Sequence, residues 1–143
     1  MKIFLATPYF NNRERDVADR LWSVLTSCGY DVYFFAKKGF VLSPNSAPHL
    51  WKRAFDEDVE RVEWCDIMVA NIERDPDWGI DSGTVFELAC AWRSGKPVIA
   101  YDETPGKKLN VMLAIACHGY STNEKELVGM IEGDARGWTG LVI

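Results

Sequence analysis

The sequence predicts an α/β domain in which helices cover both faces of a parallel sheet. Three observations carry this. Short apolar runs of strand length alternate with longer amphipathic stretches along the chain. Strands alternating with helices of this length imply parallel pairing. The 143 residues suit one domain, residues 1–143, and 48% hydrophobic residues are enough for its core.

Residues 2–6, with Ile3, Phe4 and Leu5, read as a first buried strand. Val17, Leu21, Val24, Leu25 and Cys28 then recur at helical spacing, and Gly29 closes that helix. A second strand spans 31–35, and Gly39, Pro44, Asn45 and Pro48 mark residues 37–48 as a loop. A second helix over 49–64 sets Phe55, Val59 and Val62 on one face, and residues 66–70 form a third strand. Residues 73–82 are rich in Asp, Pro and Gly and read as a loop. The next helix covers 83–94, with Val85, Leu88, Ala89 and Trp92 on one stripe and Gly95 at its end. A fourth strand at 97–101 leads to a turn at 102–107 and a short helix at 109–116. A fifth strand at 118–120 and a helix at 124–131 follow, while the tail from 133 has no periodicity. Right-handed crossovers leave a flavodoxin-like, doubly wound sheet of order 2-1-3-4-5 as the expected arrangement.

Composition removes several classes of function. A net charge of −5, with basic residues paired only at Lys37-Lys38, Lys52-Arg53 and Lys107-Lys108, disfavours a polynucleotide partner. No stretch is long and apolar enough to span a bilayer. The first apolar run is too short for a signal peptide, so a cytoplasmic location is expected. Cys28, Cys65, Cys90 and Cys117 lie far apart, which reads as four buried, reduced thiols rather than a disulfide or zinc framework. His49 and His118 stand alone and suggest neither a catalytic triad nor a metal site. There is no G-x-G-x-x-G after the first strand and no Walker loop, which removes the main support for dinucleotide or nucleoside triphosphate chemistry.

In such sheets a ligand sits beyond the carboxyl ends of the strands, near the switch in strand order. The loops that qualify are Thr7-Pro8-Tyr9-Phe10-Asn11, residues 75–84 and residues 102–110. The second leads into Asp81-Ser82-Gly83-Thr84-Val85-Phe86-Glu87. There Gly83 permits a sharp entry to the helix, and Glu87 is expected in its first turn, where the helix dipole favours an ionised carboxylate. The same residues also spell a capping box, Thr84-x-x-Glu87, which needs no function. On the second helix, Asp58 and Glu63 flank the apolar stripe, and either could tip into a pocket or remain solvated.

Together these segments resemble the nucleoside 2-deoxyribosyltransferase family over most of the chain. The residues concerned are Ile3 to Asn11 at the start, Asp58 ahead of Asp66-Ile67-Met68, the run from Asp81 to Leu88, Gly95-Lys96-Pro97, and Asn110-Val111-Met112. The resemblance implies Glu87 as a nucleophile attacking C1' of the sugar. It implies that Asp81 holds the base and handles its proton, with Asp58 assisting beside Gly83. Tyr9 and Phe10 would belong to an aromatic base pocket. Asn110 from a neighbouring subunit would hold the 5'-hydroxyl, with Met112 near the sugar. The implied substrates are 2'-deoxynucleosides and free nucleobases, with no metal or organic cofactor. The implied assembly is a homo-oligomer, at least a dimer and up to a hexameric ring. Two departures stand out. Phe4 replaces a family tyrosine whose hydroxyl orients the nucleophile, and the chain ends in Ile143 where some members end in tyrosine.

The chemistry fits these groups. Cleaving an N-glycosidic bond passes through an oxocarbenium-like state that a facing carboxylate stabilises and then captures. The alternatives are a nucleoside 5'-monophosphate hydrolase on the same fold and a non-catalytic nucleotide-binding module in which Glu87 only caps a helix. The former needs anion-binding groups where this chain has Pro8-Tyr9-Phe10 and Asn110.

Overall fold

The computed structural model describes residues 1–104 and 108–143. Strand β1 (Lys2–Ala6) leads into α1 (Asn12–Ser27), and β2 (Asp31–Tyr33) into a single-turn α2 (Phe35–Lys38) and then α3 (Pro48–Trp64). After β3 (Ile67–Asn71) comes a small hairpin, β4 (Arg74–Asp75) and β5 (Gly79–Ile80). The helix α4 (Ser82–Arg93), strand β6 (Val98–Tyr101), helix α5 (Val111–Ala116), strand β7 (Gly119–Ser121) and helix α6 (Glu124–Gly129) follow. The main sheet runs β2-β1-β3-β6-β7 with every pair parallel, which is the expected 2-1-3-4-5 order.

Alternation along β1 divides the interior in two, because successive side chains point to opposite faces. Ile3 and Leu5 join Val17, Leu21, Leu25, Leu127 and Ile131 beneath α1 and α6. Phe4 and Ala6 join Val62, Leu88, Ala91 and Leu113 beneath α3, α4 and α5. The central β3 is buried at every position, as expected for a strand covered on both faces. These two cores hold β1 and β3 in place, so the loops at their carboxyl ends are presented from a rigid base.

Several boundaries depart from the pattern. The second strand stops at Tyr33, and Phe35–Lys38 turns into one helical turn, because Phe34 and Phe35 pack edge-on against Tyr9 and each other instead of extending the sheet. Helix α3 starts one residue early, at Pro48, whose fixed φ and missing N–H suit the first helical position. Helix α1 has a capping box between Asn11 and Glu14, a start signal that the apolar periodicity did not reveal. The supposed loop at 73–82 holds the β4–β5 hairpin, in which Gly79 opens β5 directly after the turn at φ +76°.

On α4 the buried residues are Thr84, Leu88 and Ala91, while Ala89 and Trp92 face outward, so the stripe lies one residue off the expected one. The tail is tied down without periodicity. Val142 bridges in parallel to Leu109, with Leu109 N donating to Leu141 O at 3.1 Å and Ile143 N to Leu109 O at 3.0 Å. All four cysteines are free, but only Cys65 and Cys117 are buried; Cys28 lies exposed beyond α1 and Cys90 is half-buried. The turn expected at 102–107 lies partly outside the described residues. Among the described residues, no helix is long and apolar enough to cross a membrane.

Candidate active site

The N-terminus of α4 is built by Asp81, not by Thr84. Asp81 is the N-cap, and its Oδ2 accepts from the Thr84 N–H at 2.7 Å and from Thr84 Oγ1 at 2.9 Å. Gly83 leaves that oxygen room, since a Cβ on it would stand a tight 3.2 Å away. Thr84 is therefore the residue capped, and the capping-box reading of Thr84-x-x-Glu87 fails. Glu87 is the sixth residue of the helix, in its second turn, beyond the reach of most of the dipole's benefit.

Glu87 is released from capping and faces a small cavity of about 190 Å³ between α3 and α4. Asp58 and Gly83 border the same cavity, Val59, Val62 and Cys90 line it, and Phe55 and Phe86 form its rim. Those two rings lie 5.7 Å apart and are about half exposed, at 51% and 49%, so an aromatic edge stands over two carboxyl groups. Phe55 thus leaves the core stripe that periodicity assigned to it. Of the two flanking acids on α3, Asp58 tips into the cavity. Glu63 instead accepts from Ser94 Oγ at 2.5 Å and ties α3 to the end of α4.

The electrostatics reverse the expectation for an ionised Glu87. Burial, followed by the charges of Asp58 and Asp81, pushes its carboxyl up to about 8. Asp58 is also raised by burial, against the opposing pull of a hydrogen bond from Tyr33, whose Oη donates to Asp58 Oδ1 at 2.8 Å. No salt bridge reaches Asp58, Asp81 or Glu87 among the described residues. Two acids facing Glu87, with no cation beside it, favour retention of its proton.

The other expected residues are distributed differently. Phe4 is buried under the same face of the sheet, its ring 5.3 Å from that of Tyr33. Tyr9 turns to the opposite core, where its hydroxyl donates to Asp19 and its ring packs on Phe34, so it does not line the cavity beside Glu87. Phe10 is 73% exposed. Asn110 caps α5, its Oδ1 accepting from Met112 N at 2.9 Å, and Met112 is 75% exposed. Neither lines the cavity within its own chain. The sequence pattern did not mark Tyr33, Phe55 or Phe86 as part of the site. The one sequence signal for Tyr33 is a hydroxyl-bearing residue inside an apolar strand.

The chain's sequence matches the family profile described as nucleoside 2-deoxyribosyltransferase over residues 3–130. Among solved structures, a 2-deoxyribosyltransferase from Bacillus psychrosaccharolyticus superposes with a TM-score of 0.86 at 24% identity, covering 97% of this chain and 100% of that one. A CMP N-glycosidase from Clostridium botulinum gives 0.60 at 18% identity, covering 92% and 99%, and a 2-deoxyribosyltransferase from Leishmania mexicana 0.57 at 14%, covering 79% and 70%. At these identities the structural likenesses speak for the fold. No curated protein sequence gives a significant match. The profile covers almost the whole α/β domain, including the carboxyl-lined cavity, and on that match the chain belongs to the nucleoside 2-deoxyribosyltransferase family.

Proposed function

We propose that this protein transfers the 2-deoxyribosyl group between nucleobases, with Glu87 as the nucleophile. The observation that carries it is Glu87 and Asp58 bordering one cavity under the Phe55–Phe86 rim, with Asp81 close enough to raise Glu87. In the free enzyme near neutral pH, Glu87 carries a proton most of the time, since its carboxyl titrates at about 8. The C1'–N bond breaks with its electron pair going to the base nitrogen. The Glu87 proton passes to the departing base by way of Asp81, and the freed carboxylate bonds to C1' from the face opposite the base. A second base then attacks C1', the C1'–O bond breaks, and the incoming base's proton returns to Glu87. Two inversions give net retention. No step needs a metal or an organic cofactor.

The unphosphorylated substrate is favoured over a nucleoside monophosphate because no Arg or Lys among the described residues lines the cavity that Glu87 and Asp58 border. We further assign the active form to a homo-oligomer, at least a dimer, in which Asn110 and Met112 complete a neighbour's site. Their exposure, beside the 78% exposed Ile115 on α5, supports this.

Incubation with deoxyinosine or thymidine plus adenine, followed by chromatography, tests the reaction. Deoxyadenosine should accumulate as the donor base is released. Release of base without any exchange would replace transfer by hydrolysis, and no release at all would rule out Glu87 as a glycosidic nucleophile.

A further inference from the structure

We propose that Tyr33 is a positioning residue of this active site, acting through Asp58, with Gly39 leaving room for its hydroxyl beside the Phe35 backbone. The proposal rests on the assignment of Asp58 and Glu87 to one catalytic site.

Tyr33 comes from β2, the edge strand, and sits in register with Phe4 of β1. Registered residues on parallel strands project to the same face, so the two rings stand side by side over α3. Phe4 has no hydroxyl, and Tyr33 supplies the one phenol of this pair. Arg61 closes over the Tyr33 ring, its guanidinium carbon 5.2 Å from the centroid. Asp58 and Arg61 are three residues apart on α3, so both meet Tyr33 from one helical face. The ring is thus held on two sides, and the hydroxyl has one direction left, toward Asp58.

Gly39 clears that direction. A Cβ there would lie 2.7 Å from Tyr33 Oη and 2.7 Å from Phe35 Cα. Its φ of −90° is open to any residue, so space and not backbone conformation calls for glycine.

A buried phenol needs a partner, and a backbone carbonyl would have served. Here the partner is a carboxylate that borders the cavity. The bond occupies Asp58 Oδ1, leaves Oδ2 for a ligand and favours the ionised form against burial. Around the Tyr33–Asp58 pair, Glu57 acts on both groups, Arg61 from α3 lies over the Tyr33 ring, and Glu87 from α4 faces Asp58 and Asp81. By keeping Asp58 negative, Tyr33 leaves the shared proton on Glu87, where the transfer step uses it.

Tyr33→Phe removes only the hydroxyl. In a variant with wild-type circular dichroism, kcat/KM should fall about tenfold or more, the scale of one charge-assisted hydrogen bond. The acid limb of its pH profile should move to higher pH, since Asp58 loses the donor that favours its charged form. Carbon NMR of the Asp58 carboxyl should show its titration midpoint higher in Tyr33→Phe than in wild type, with or without turnover. A folded Tyr33→Phe with kcat/KM within twofold and an unmoved acid limb overturns the proposal, as does an unmoved Asp58 midpoint. If wild type exchanges no bases while the Asp58 midpoint still moves, the catalytic assignment fails and the Tyr33–Asp58 coupling stands.

Discussion

Glu103 and Glu87 are the same residue type on the two sides of one sheet, and the fold treats them oppositely. Burial pulls Glu103 up, but hydrogen bonds from Tyr101, Arg20 and Arg13 outweigh it and hold the carboxyl below its ordinary range. Glu87 meets burial with two further acids and no cation, and is driven up to about 8. The first arrangement fastens α1 to the loop after β6 and the start of α6. The second holds a carboxyl against its ordinary titration at a cost in stability, which is the arrangement the proposed nucleophile calls for. A carboxyl's chemistry here is set by what faces it and not by its place on a helix.

The largest expected effect is loss of the nucleophile. Glu87→Ala should lower base exchange by at least about a thousandfold while the melting profile stays cooperative. Enzyme incubated with a deoxynucleoside and no acceptor should gain one deoxyribosyl unit by mass spectrometry, and Glu87→Ala should not. Exchange within tenfold of wild type would leave Glu87 as merely a buried acid.

Next comes the test of assembly. Glu87→Ala and Asn110→Ala proteins should each be nearly inactive. After co-refolding, activity should return to about a quarter of wild type if chains assort randomly across an isologous interface. Mixed subunits that stay inactive would mean Asn110 does not act across the interface.

The pH dependence sharpens the contrast. For Glu87, the folded value of about 8 lies above the ordinary 4.5, so the native state binds the proton more tightly than the unfolded chain. Its contribution to stability is full below pH 4.5 and is lost as pH rises through 8. Glu87→Gln should therefore stabilise the protein by about 2 kcal/mol at pH 9 and less at pH 5, read from denaturant midpoints. Exchange activity should fall as pH rises past about 8, as the transferable proton is lost. Glu103 runs the other way: its contribution is present above the ordinary carboxylate range and is lost as pH falls below it. The smallest effect is expected from Glu103→Gln, about 1 kcal/mol at pH 7 and less at high salt, since its partners Arg13 and Arg20 are largely solvated. Equal pH slopes for the two variants would erase the distinction between the two sides.

The sequence by itself determined the doubly wound fold and the strand order, and it offered the segment from Asp81 to Glu87 as a candidate for chemistry beside its capping reading. These are local signals: apolar runs, helical periodicity, a glycine at a helix start and the handedness of crossovers. Only the tertiary structure decided what the acids face. Asp81 and not Thr84 caps α4, because the choice depends on a side-chain rotamer that spacing does not encode. Asp58 and Glu63 were equivalent flanks of one stripe until packing against α4 gave one to the cavity and the other to Ser94. Tyr9 went to the α1 side, because its ring finds Phe34 there. Tyr33 met an acid 25 residues away, through a gap left by Gly39. All but the first are contacts between elements distant in sequence, where the energy of a buried polar group depends on its neighbours and not on its own position in the pattern.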